Sequence, residues 1–251
     1  MPVPGDFDQF TWLVVRLLGC LRRPITGKPY MSWQCWRHFA WIGADSLPIV
    51  STIAACTGII LALQAAAQLE KVGAMSYVAN LVGISIVAEL GPLLTALILS
   101  GRAGAAFTAE IATMKISQEI DALEVMGLDS VRYLVWPKCV AMALMSPLLT
   151  LWADFTGVLS GGIFSVSVLG LSAHGYYEQT ASFISLQIFF SGLVKSLAFG
   201  LAITLIGCWQ GWLAREGALD VGRRTTRSVV QSIFLIVLLD LFFTALSYVA
   251  R

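Results

Sequence analysis

The chain has 251 residues, of which 57% are hydrophobic and only 12% are charged, and its 16 basic and 15 acidic side chains nearly cancel. Because a soluble domain carries about 25% charged residues, this composition excludes an ordinary soluble domain, and the near-neutral charge excludes a typical nucleic-acid-binding protein. The five cysteines form no C-x-x-C pair and lie apart from the two histidines, so we expect neither a metal site nor another cofactor in this chain.

The first 45 residues are predicted to lie in the membrane interface rather than to cross the membrane. Aromatic side chains stand beside arginine and lysine in this segment, and they are Trp12, Tyr30, Trp33, Trp36 and Trp41. Such mixtures favour the boundary between lipid headgroups and acyl chains. We therefore predict an N-terminal cytoplasmic interfacial segment at residues 1–45 and a single membrane domain at residues 46–251.

Five apolar stretches follow, each long enough for a membrane-spanning helix, which needs roughly 20 residues. They cover about residues 46–69, 77–107, 139–170, 184–212 and 228–250. Ionised side chains are rare within them, as expected at membrane depth. The predicted fold class is an all-α membrane protein with five spans, the third of them one long helix punctuated by glycine and proline.

The basic residues between the spans predict an orientation. Twelve of the 16 lie in residues 1–45, 110–138 and 213–227, whereas the opposite connections carry only Lys71, with Arg251 at the C-terminus. The positive-inside rule then predicts a cytoplasmic N-terminus and a periplasmic C-terminus.

Two pairs of glycines four residues apart, Gly157 with Gly161 and Gly207 with Gly211, allow close approach of helices. Packing within the chain and dimerisation through these glycines both remain open at this point.

The second span contains Glu89 followed by Leu90-Gly91-Pro92, where proline can kink the helix. Other charges inside the spans are Arg102, Asp154, Lys195 and Asp240. Intramembrane charges usually face a cavity or pair within the bundle. For Glu89, Lys195 and Asp240 we weigh a role in a substrate pathway against a structural ion pair. For Arg102 we weigh a role inside the bundle against simple extension of the side chain to the nearby cytoplasmic end.

The longest polar connection, residues 110–138, is predicted to contain a cytoplasmic helix at about 115–127. Ile116, Ile120 and Leu123 form one apolar stripe, and Gly127 follows where a helix stop belongs. The other faces are predominantly acidic, whereas helices on lipid surfaces favour lysine and arginine. We therefore favour docking into a groove on a cytoplasmic protein over an interfacial connector.

Several motifs in this order resemble the MlaE (YrbE-type) permease family, in register from about Thr57 to Tyr248. They are Glu89-Leu90-Gly91-Pro92, Gly101-Arg102-Ala103-Gly104, Glu119-Ile120-Asp121-Ala122-Leu123, Met126-Gly127-Leu128-Asp129 and Gly222-Arg223 with Thr225-Thr226-Arg227. The chain departs from the family pattern at Gln118, usually acidic, and at Ser130, commonly proline.

The resemblance implies the permease subunit of an ABC transporter, and not an enzyme. Members move phospholipid or a related lipid between the inner membrane and an external MCE-domain protein, a role linked to outer membrane lipid asymmetry. They form homodimers and bind a cytoplasmic ATPase, often accompanied by a STAS-domain protein. ATP and Mg²⁺ would bind that ATPase, which agrees with the lack of a G-x-x-x-x-G-K-[ST] phosphate loop in this chain.

Residue roles follow from the resemblance and from the charges. The candidate lipid-pathway residues are Glu89, Leu90, Pro92, Lys195 and Asp240. The candidate ATPase-coupling residues are Lys115, Ile116, Gln118, Glu119, Asp121, Leu123, Glu124 and Met126, with Arg223, Arg224 and Arg227 before the last span. For the three arginines the other interpretation is a topology anchor at anionic headgroups.

A different class of function is an ion-coupled secondary carrier that uses Glu89, Asp154 and Asp240 as proton relays. It explains the intramembrane carboxylates without a partner, but it leaves the acidic amphipathic helix unexplained.

Overall fold

A computed structural model describes residues 11, 13, 15, 16, 29–215 and 217–249, and it describes no side chains at 29–34 or 76. From residue 29 onward the described residues form helices and turns. The helices are α1 Pro29–Ala44, α2 Leu47–Leu69, α3 Val78–Ile116, α4 Glu119–Val125, α5 Val131–Ser167, α6 Ala173–Phe183, α7 Leu186–Trp212 and α8 Gly217–Val249.

Five stretches of helix are long and apolar enough to cross a membrane, which confirms the predicted all-α fold with five candidate spans. They are α2 with the end of α1, then α3, α5, α7 and α8. Two helices begin earlier than the apolar stretches that predicted them: α5 at Val131 instead of 139, and α8 at Gly217 instead of 228. Their first turns carry arginine and lysine, which end an apolar window without ending a helix.

The third span is the long helix that was predicted, with Pro147 inside it. The connection after it, however, contains a helix that the sequence analysis did not identify, α6. The hydroxyl oxygen of Ser172 accepts a hydrogen bond from the backbone N–H of Gly175 at 3.1 Å, which satisfies one free donor at the start of α6.

Helices α5 and α7 occupy the centre of the bundle. Helix α2 packs on α5, α7 packs on α5 and along α3, and α8 packs on α7 and on the last turns of α3. The largest apolar cluster lies where α3, α5 and α7 meet and includes Leu99, Phe107, Met142, Phe199 and Ile203, all fully or almost fully buried.

Both glycine pairs lie at helix crossings within the chain. A Cβ atom at Gly161 would lie 3.0 Å from the carbonyl oxygen of Gly58, where α5 crosses α2. A Cβ atom at Gly207 would likewise lie 3.0 Å from the carbonyl oxygen of Gly104, where α7 crosses α3. Of the two uses left open by the sequence, these glycines serve intrachain packing.

Helix α3 contains two π-helical turns, Ile86–Leu90 and Ser100–Gly104. Such turns contain an extra residue and occur frequently at functional sites. The first one leaves Pro92 in the opening turn of the next α-helical segment, where a missing N–H is best tolerated. Each turn also contains a charged side chain, Glu89 in the first and Arg102 in the second.

Arg102 joins α3 to the corner between α1 and α2. Its guanidinium donates hydrogen bonds to Ser46 Oγ at 2.7 Å and to the carbonyl oxygen of Trp41 at 3.0 Å. It also pairs with Asp45 at 3.0 Å and stacks 4.6 Å above the Trp41 ring. Arg102 therefore has partners within the protein and does not merely extend toward the membrane surface.

Most of the predicted N-terminal interfacial segment, including Trp12 and the side chains of Tyr30 and Trp33, lies outside the described residues. In the described part, α1 packs on α5 and contributes the fully buried Ile42 to the core, while Trp36 is exposed.

Candidate functional site

Lys195 on α7 lies at the centre of a cluster of polar side chains inside the spans. Its Nζ donates to Glu89 Oε2 at 2.8 Å and lies 3.1 Å from Asp240 Oδ1 and 2.9 Å from Thr244 Oγ1. The carbonyl oxygen of Ala88 is 3.3 Å away. The Thr244 hydroxyl donates to Glu89 Oε1 at 3.0 Å. We call Glu89, Lys195, Asp240 and Thr244 the charge cluster.

The members of the charge cluster differ in exposure. The Lys195 side chain is 4% exposed, the Asp240 side chain 17% and the Glu89 side chain 38%. The ammonium group is therefore enclosed by protein, while the Glu89 carboxylate opens toward the side of the bundle. With both carboxylates ionised, the two acids and one lysine leave one net negative charge.

The structure brings together three of the predicted pathway residues, Glu89, Lys195 and Asp240, from three different helices. Leu90 faces elsewhere and lines a small gap between α2 and α3. Pro92 is buried and lies against α7 at Gly192. Thr244 was missed by the sequence analysis, although it follows Asp240 by four residues and so shares its helix face.

The charge cluster ends a row of contacts along α8 in which every fourth residue faces the bundle. Its members are Arg224, Ser228, Ser232, Ile236, Asp240 and Thr244, which contact other helices or are buried. Ser228 Oγ is 2.8 Å from Thr108 Oγ1 of α3, and Arg224 donates to Gln210 of α7 at 3.4 Å. The rest of α8 is largely exposed and apolar.

Asp154 does not join the charge cluster. It lies on α5, is 6% exposed, and faces Gly91 on the other side of α3. A Cβ atom at Gly91 would overlap Asp154 Oδ1, so the absence of a side chain there makes room for the carboxylate.

The predicted cytoplasmic helix at 115–127 is divided in the structure. Lys115 and Ile116 belong to the last turn of α3, and α4 begins at Glu119. Between them Gln118 has a left-handed backbone conformation with φ of 60°, which interrupts the helix. Across the break, Lys115 Nζ pairs with Asp121 Oδ1 at 2.8 Å.

Two members of the apolar stripe, Ile120 and Leu123, face the protein's own core, while Ile116 is half-buried at the end of α3. Ile120 is 1% exposed and packs with Ile111, Val131 and Val135, while Leu123 is partly buried against the same cluster. Ile120 is therefore not available to a partner, whereas docking of this segment to a cytoplasmic protein stays a prediction. The other predicted coupling residues on or beside α4, together with Val125, present an exposed surface that we call the acidic face. It is formed by Gln118, Glu119, Asp121, Glu124, Val125 and Met126.

Gly127 ends α4 as predicted. It has a positive φ of 75°, and the N–H groups of Gly127 and Leu128 donate to the carbonyl oxygens of Glu124 and Leu123, both at 3.0 Å. This is the Schellman arrangement, in which glycine is favoured because it has no Cβ.

The three arginines before the last span lie on the first turns of α8. Arg223 and Arg227 are exposed, whereas Arg224 is half-buried and lies 3.6 Å from Asp220. Arg224 therefore stabilises the helix end, and Arg223 and Arg227 remain accessible to a partner or to headgroups.

One ion pair at this end, between a buried lysine and a partly exposed acid, was not identified from the sequence. Lys138 is 1% exposed, its Nζ lies 3.0 Å from Glu110, and it sits 5.7 Å above the Phe107 ring. The apolar burial of its alkyl chain beside a single acid is typical of a structural pair.

Comparison with known proteins identifies relatives over most of the chain. The family model described as Permease MlaE matches residues 35–246. A probable ABC transporter permease protein of Rickettsia typhi is 37% identical over 97% of this chain and 92% of its own length. One from Synechocystis is 34% identical over 82% of this chain and 79% of its own length. The chloroplastic protein TRIGALACTOSYLDIACYLGLYCEROL 1 of Arabidopsis thaliana is 30% identical over 79% of this chain and 57% of its own length.

Proposed function

Because this chain belongs to the MlaE permease family, we propose that it is the membrane subunit of an ABC transporter that moves phospholipid or a related lipid. Relatives named as ABC transporter permeases cover most of the chain and support the transport role. The name of the plant relative contains that of a diacylglycerol lipid, which supports a lipid as the cargo.

The observation that carries the lipid proposal is the charge cluster inside the spans. The Glu89 side chain is 38% exposed at a depth where charge is costly unless it faces a cavity or a partner. A lipid route needs polar side chains inside the bundle, since a polar headgroup must pass through it while the acyl chains stay in an apolar environment. We propose that Glu89, Lys195 and Asp240 line this route, with Leu90 and Pro92 shaping α3 beside it.

A second copy of the chain is the proposed cover for the open side of the charge cluster. The exposed apolar residues of α8 include Phe234, Leu238, Leu241 and Phe242, and the Glu89 carboxylate opens next to this helix. Two copies facing each other would enclose Glu89 in a shared cavity instead of leaving it against hydrocarbon. The homodimer proposal rests on this surface.

The acidic face of α4 is the proposed docking surface for a cytoplasmic ATPase. Val125 is 89% exposed and Met126 66% exposed beside Glu119 and Asp121, a combination of apolar and acidic groups suited to a protein partner. Lys115 flanks this surface, and Arg223 and Arg227 are proposed as a second contact. ATP and Mg²⁺ are proposed to bind the ATPase, with no cofactor in this chain.

The remaining assembly follows from the family resemblance and stays a proposal. We propose that the protein lies in the inner membrane, with its N-terminus in the cytoplasm and its C-terminus in the periplasm, as the distribution of basic residues predicts. An MCE-domain protein would exchange lipid at the periplasmic end, and a STAS-domain protein would accompany the ATPase. In this arrangement the α4 end of the bundle faces the cytoplasm, and the α6 end faces the periplasm.

Lipid transfer by Glu89→Gln and Asp240→Asn variants tests the route. The protein and its co-purifying partners are reconstituted in vesicles, and transfer of a fluorescent phospholipid is measured with and without ATP. We expect both variants to assemble and to transfer lipid at least about tenfold more slowly, while Glu70→Gln, an exposed acid outside the cluster, transfers at the wild-type rate. Wild-type transfer in both cluster variants would overturn the proposed route.

Purification in mild detergent tests the ATPase surface. Reversal of charge in Glu119→Lys with Asp121→Lys should abolish co-purification of an ATPase, whereas Glu178→Lys, an exposed reversal on α6, should not. Retention of the ATPase by the double variant contradicts the assignment of the acidic face. Transport by the lone chain, driven by a pH gradient, would instead favour a secondary carrier.

A further inference from the structure

Thr244 holds one oxygen of the Glu89 carboxylate from an exposed position on α8. Its hydroxyl oxygen accepts a hydrogen bond from Lys195 Nζ at 2.9 Å, and its single hydrogen is donated to Glu89 Oε1 at 3.0 Å. The other carboxylate oxygen, Oε2, accepts from Lys195 at 2.8 Å. Lys195 is enclosed by protein, whereas Thr244 lies on the last turns of α8 and is exposed. The carboxylate is therefore held by one enclosed charged donor and one exposed neutral donor.

Loss of the Thr244 hydroxyl would affect Glu89 and not Lys195. Lys195 Nζ has three N–H donors and lies within 3.3 Å of four oxygen atoms, so it stays fully bonded when Thr244 turns away. Glu89 Oε1 differs, because the Thr244 hydroxyl is the one donor found for it among the described residues. Release of this hydroxyl would therefore free one oxygen of the carboxylate that opens toward the side of the bundle.

The Thr244 side chain has a second acceptor within its own helix. Most other threonines in the described helices donate to the carbonyl oxygen four residues earlier, as Thr52 does to Pro48 at 2.8 Å. A threonine in a helix divides between two χ1 rotamers because of this bond. For Thr244 the corresponding acceptor is the carbonyl oxygen of Asp240. Rotation about one side-chain bond would therefore exchange the bond to Glu89 for a bond within α8.

We propose that Thr244 is a latch on Glu89 Oε1, which an N–H or O–H donor of the lipid headgroup displaces when the headgroup enters the charge cluster. The inference rests on the proposed lipid route and adds a positioning residue to it. The headgroup displaces a neutral hydroxyl donor at Oε1, whereas at Oε2 it would have to displace a charged ammonium, whose hydrogen bond is stronger. The displaced hydroxyl keeps a partner in the carbonyl oxygen of Asp240.

Labelling of Glu89 by a hydrophobic carbodiimide tests the latch without requiring transport. The reagent modifies carboxyl groups within membranes, and the labelling rate is followed by mass spectrometry of the peptide that contains Glu89. The full chain is held in nanodiscs of phosphatidylcholine, whose headgroup has no N–H or O–H donor. Thr244→Val keeps the shape of the side chain and removes the hydroxyl. We expect it to label about tenfold faster, since a hydrogen bond to a charged group corresponds to about that factor.

Two variants separate the hydroxyl from the fold. Thr244→Ser keeps the hydroxyl and removes the methyl group, so Glu89 should label at the wild-type rate. Thr52→Val removes a hydroxyl whose bond to Pro48 lies within α2, and it should also leave the rate unchanged. A wild-type labelling rate in Thr244→Val, or labelling of Thr244→Ser as fast as that of Thr244→Val, overturns the proposal.

Lipid transfer by the complex with its co-purifying partners tests the displacement. Phosphatidylcholine vesicles contain an increasing mole fraction of phosphatidylethanolamine with a fluorescent acyl chain, and ATP-dependent transfer is measured at each fraction. The headgroup has no hydroxyl to displace in Thr244→Val, so we expect the fraction that gives half-maximal transfer to fall about tenfold. Thr244→Ser should leave it unchanged. A purely structural role of Thr244 would lower the maximal rate without lowering this fraction, and that result overturns the proposal.

The outcome is separable from that of the lipid route. Faster labelling of Thr244→Val in a complex whose wild type transfers no lipid refutes the route, while the hold of Thr244 on Glu89 stands. Lipid transfer that is slowed by Glu89→Gln, with no effect of Thr244→Val on labelling or on half-maximal transfer, refutes the latch alone.

Discussion

Replacement of Lys195 by methionine tests how much the charge cluster depends on its ammonium group. Lys195 Nζ lies within 3.3 Å of four oxygen atoms, two of which belong to carboxylates. Without it, Glu89 and Asp240 remain as two acids with no positive partner in the cluster. Removing one partner of a buried ion pair typically costs about 3–5 kcal/mol.

The expected magnitude lies at the lower end of that range. The Asp240 side chain is 17% exposed and stays desolvated, but Glu89 keeps the hydrogen bond that the Thr244 hydroxyl donates to its Oε1 at 3.0 Å. We therefore expect Lys195→Met to lower the free energy of unfolding by about 3 kcal/mol, which is roughly a hundredfold in the folding equilibrium.

Denaturant unfolding of the full chain in detergent micelles, followed by tryptophan fluorescence, measures this change. The control is the triple variant Lys195→Met, Glu89→Gln and Asp240→Asn, which removes the ammonium together with both charges. It should recover at least about half of the lost stability, because no unpaired ion remains. A Lys195→Met protein as stable as the wild type, or a triple variant no better than the single one, would refute the reasoning.

Three further predictions concern helix packing and helix ends. Gly58→Ala should destabilise the protein by about 1–3 kcal/mol, because the new methyl group overlaps α5. In the control Gly101→Ala the methyl group enters open space, so this variant should be neutral or slightly stabilising. Equal unfolding midpoints for the two variants would contradict the close crossing of α2 and α5. Arg102→Met should lower the free energy of unfolding by about 1.5–3 kcal/mol, because the hydrogen bonds of the guanidinium to Ser46 and Trp41 are lost. Asp45→Asn should lower it by less than about 1 kcal/mol, because the Asp45 side chain is 57% exposed. A larger effect of Asp45→Asn would contradict the contacts described for Arg102. Gly127→Ala should destabilise the end of α4 by about 1–2 kcal/mol, because a residue with a Cβ is strained at the positive φ of this position. The measurement is amide hydrogen exchange at the end of α4, which should become faster. Unchanged exchange would show that the positive φ is unimportant.

The spans could be predicted because their cause is local in the sequence. A hydrocarbon layer requires a certain apolar length and penalises charge, so uncharged stretches alone locate five helices. The meeting of Lys195 with Asp240 was also within reach, since buried ions need partners. The contribution of Thr244 and the π-helical turn that carries Glu89 depend on how three helices pack, which no local pattern encodes.

Periodicity identified the apolar stripe of α4 but not what covers it. Ile120 and Leu123 have the spacing of any amphipathic helix, and the same spacing serves a partner or the protein's own core. The left-handed Gln118 decides between them, since it turns α4 back from α3 toward the base of the bundle. The glycine pairs were ambiguous for the same reason. Close approach requires two helices, and the pattern within one helix does not identify the other.

The row of contacts along α8 limits how the length of this helix can change. Its members recur every four residues, from Arg224 through Ser228 and Ser232 to Asp240 and Thr244, so each depends on the number of residues before it. Inserting or deleting one residue between Ser228 and Asp240 would rotate the acid by about 100° around the helix axis, away from Lys195 and into lipid. A change of four residues would rotate it by only about 40°. Viable insertions and deletions in this span should therefore come in near-complete helical turns, although its outward face tolerates many apolar substitutions.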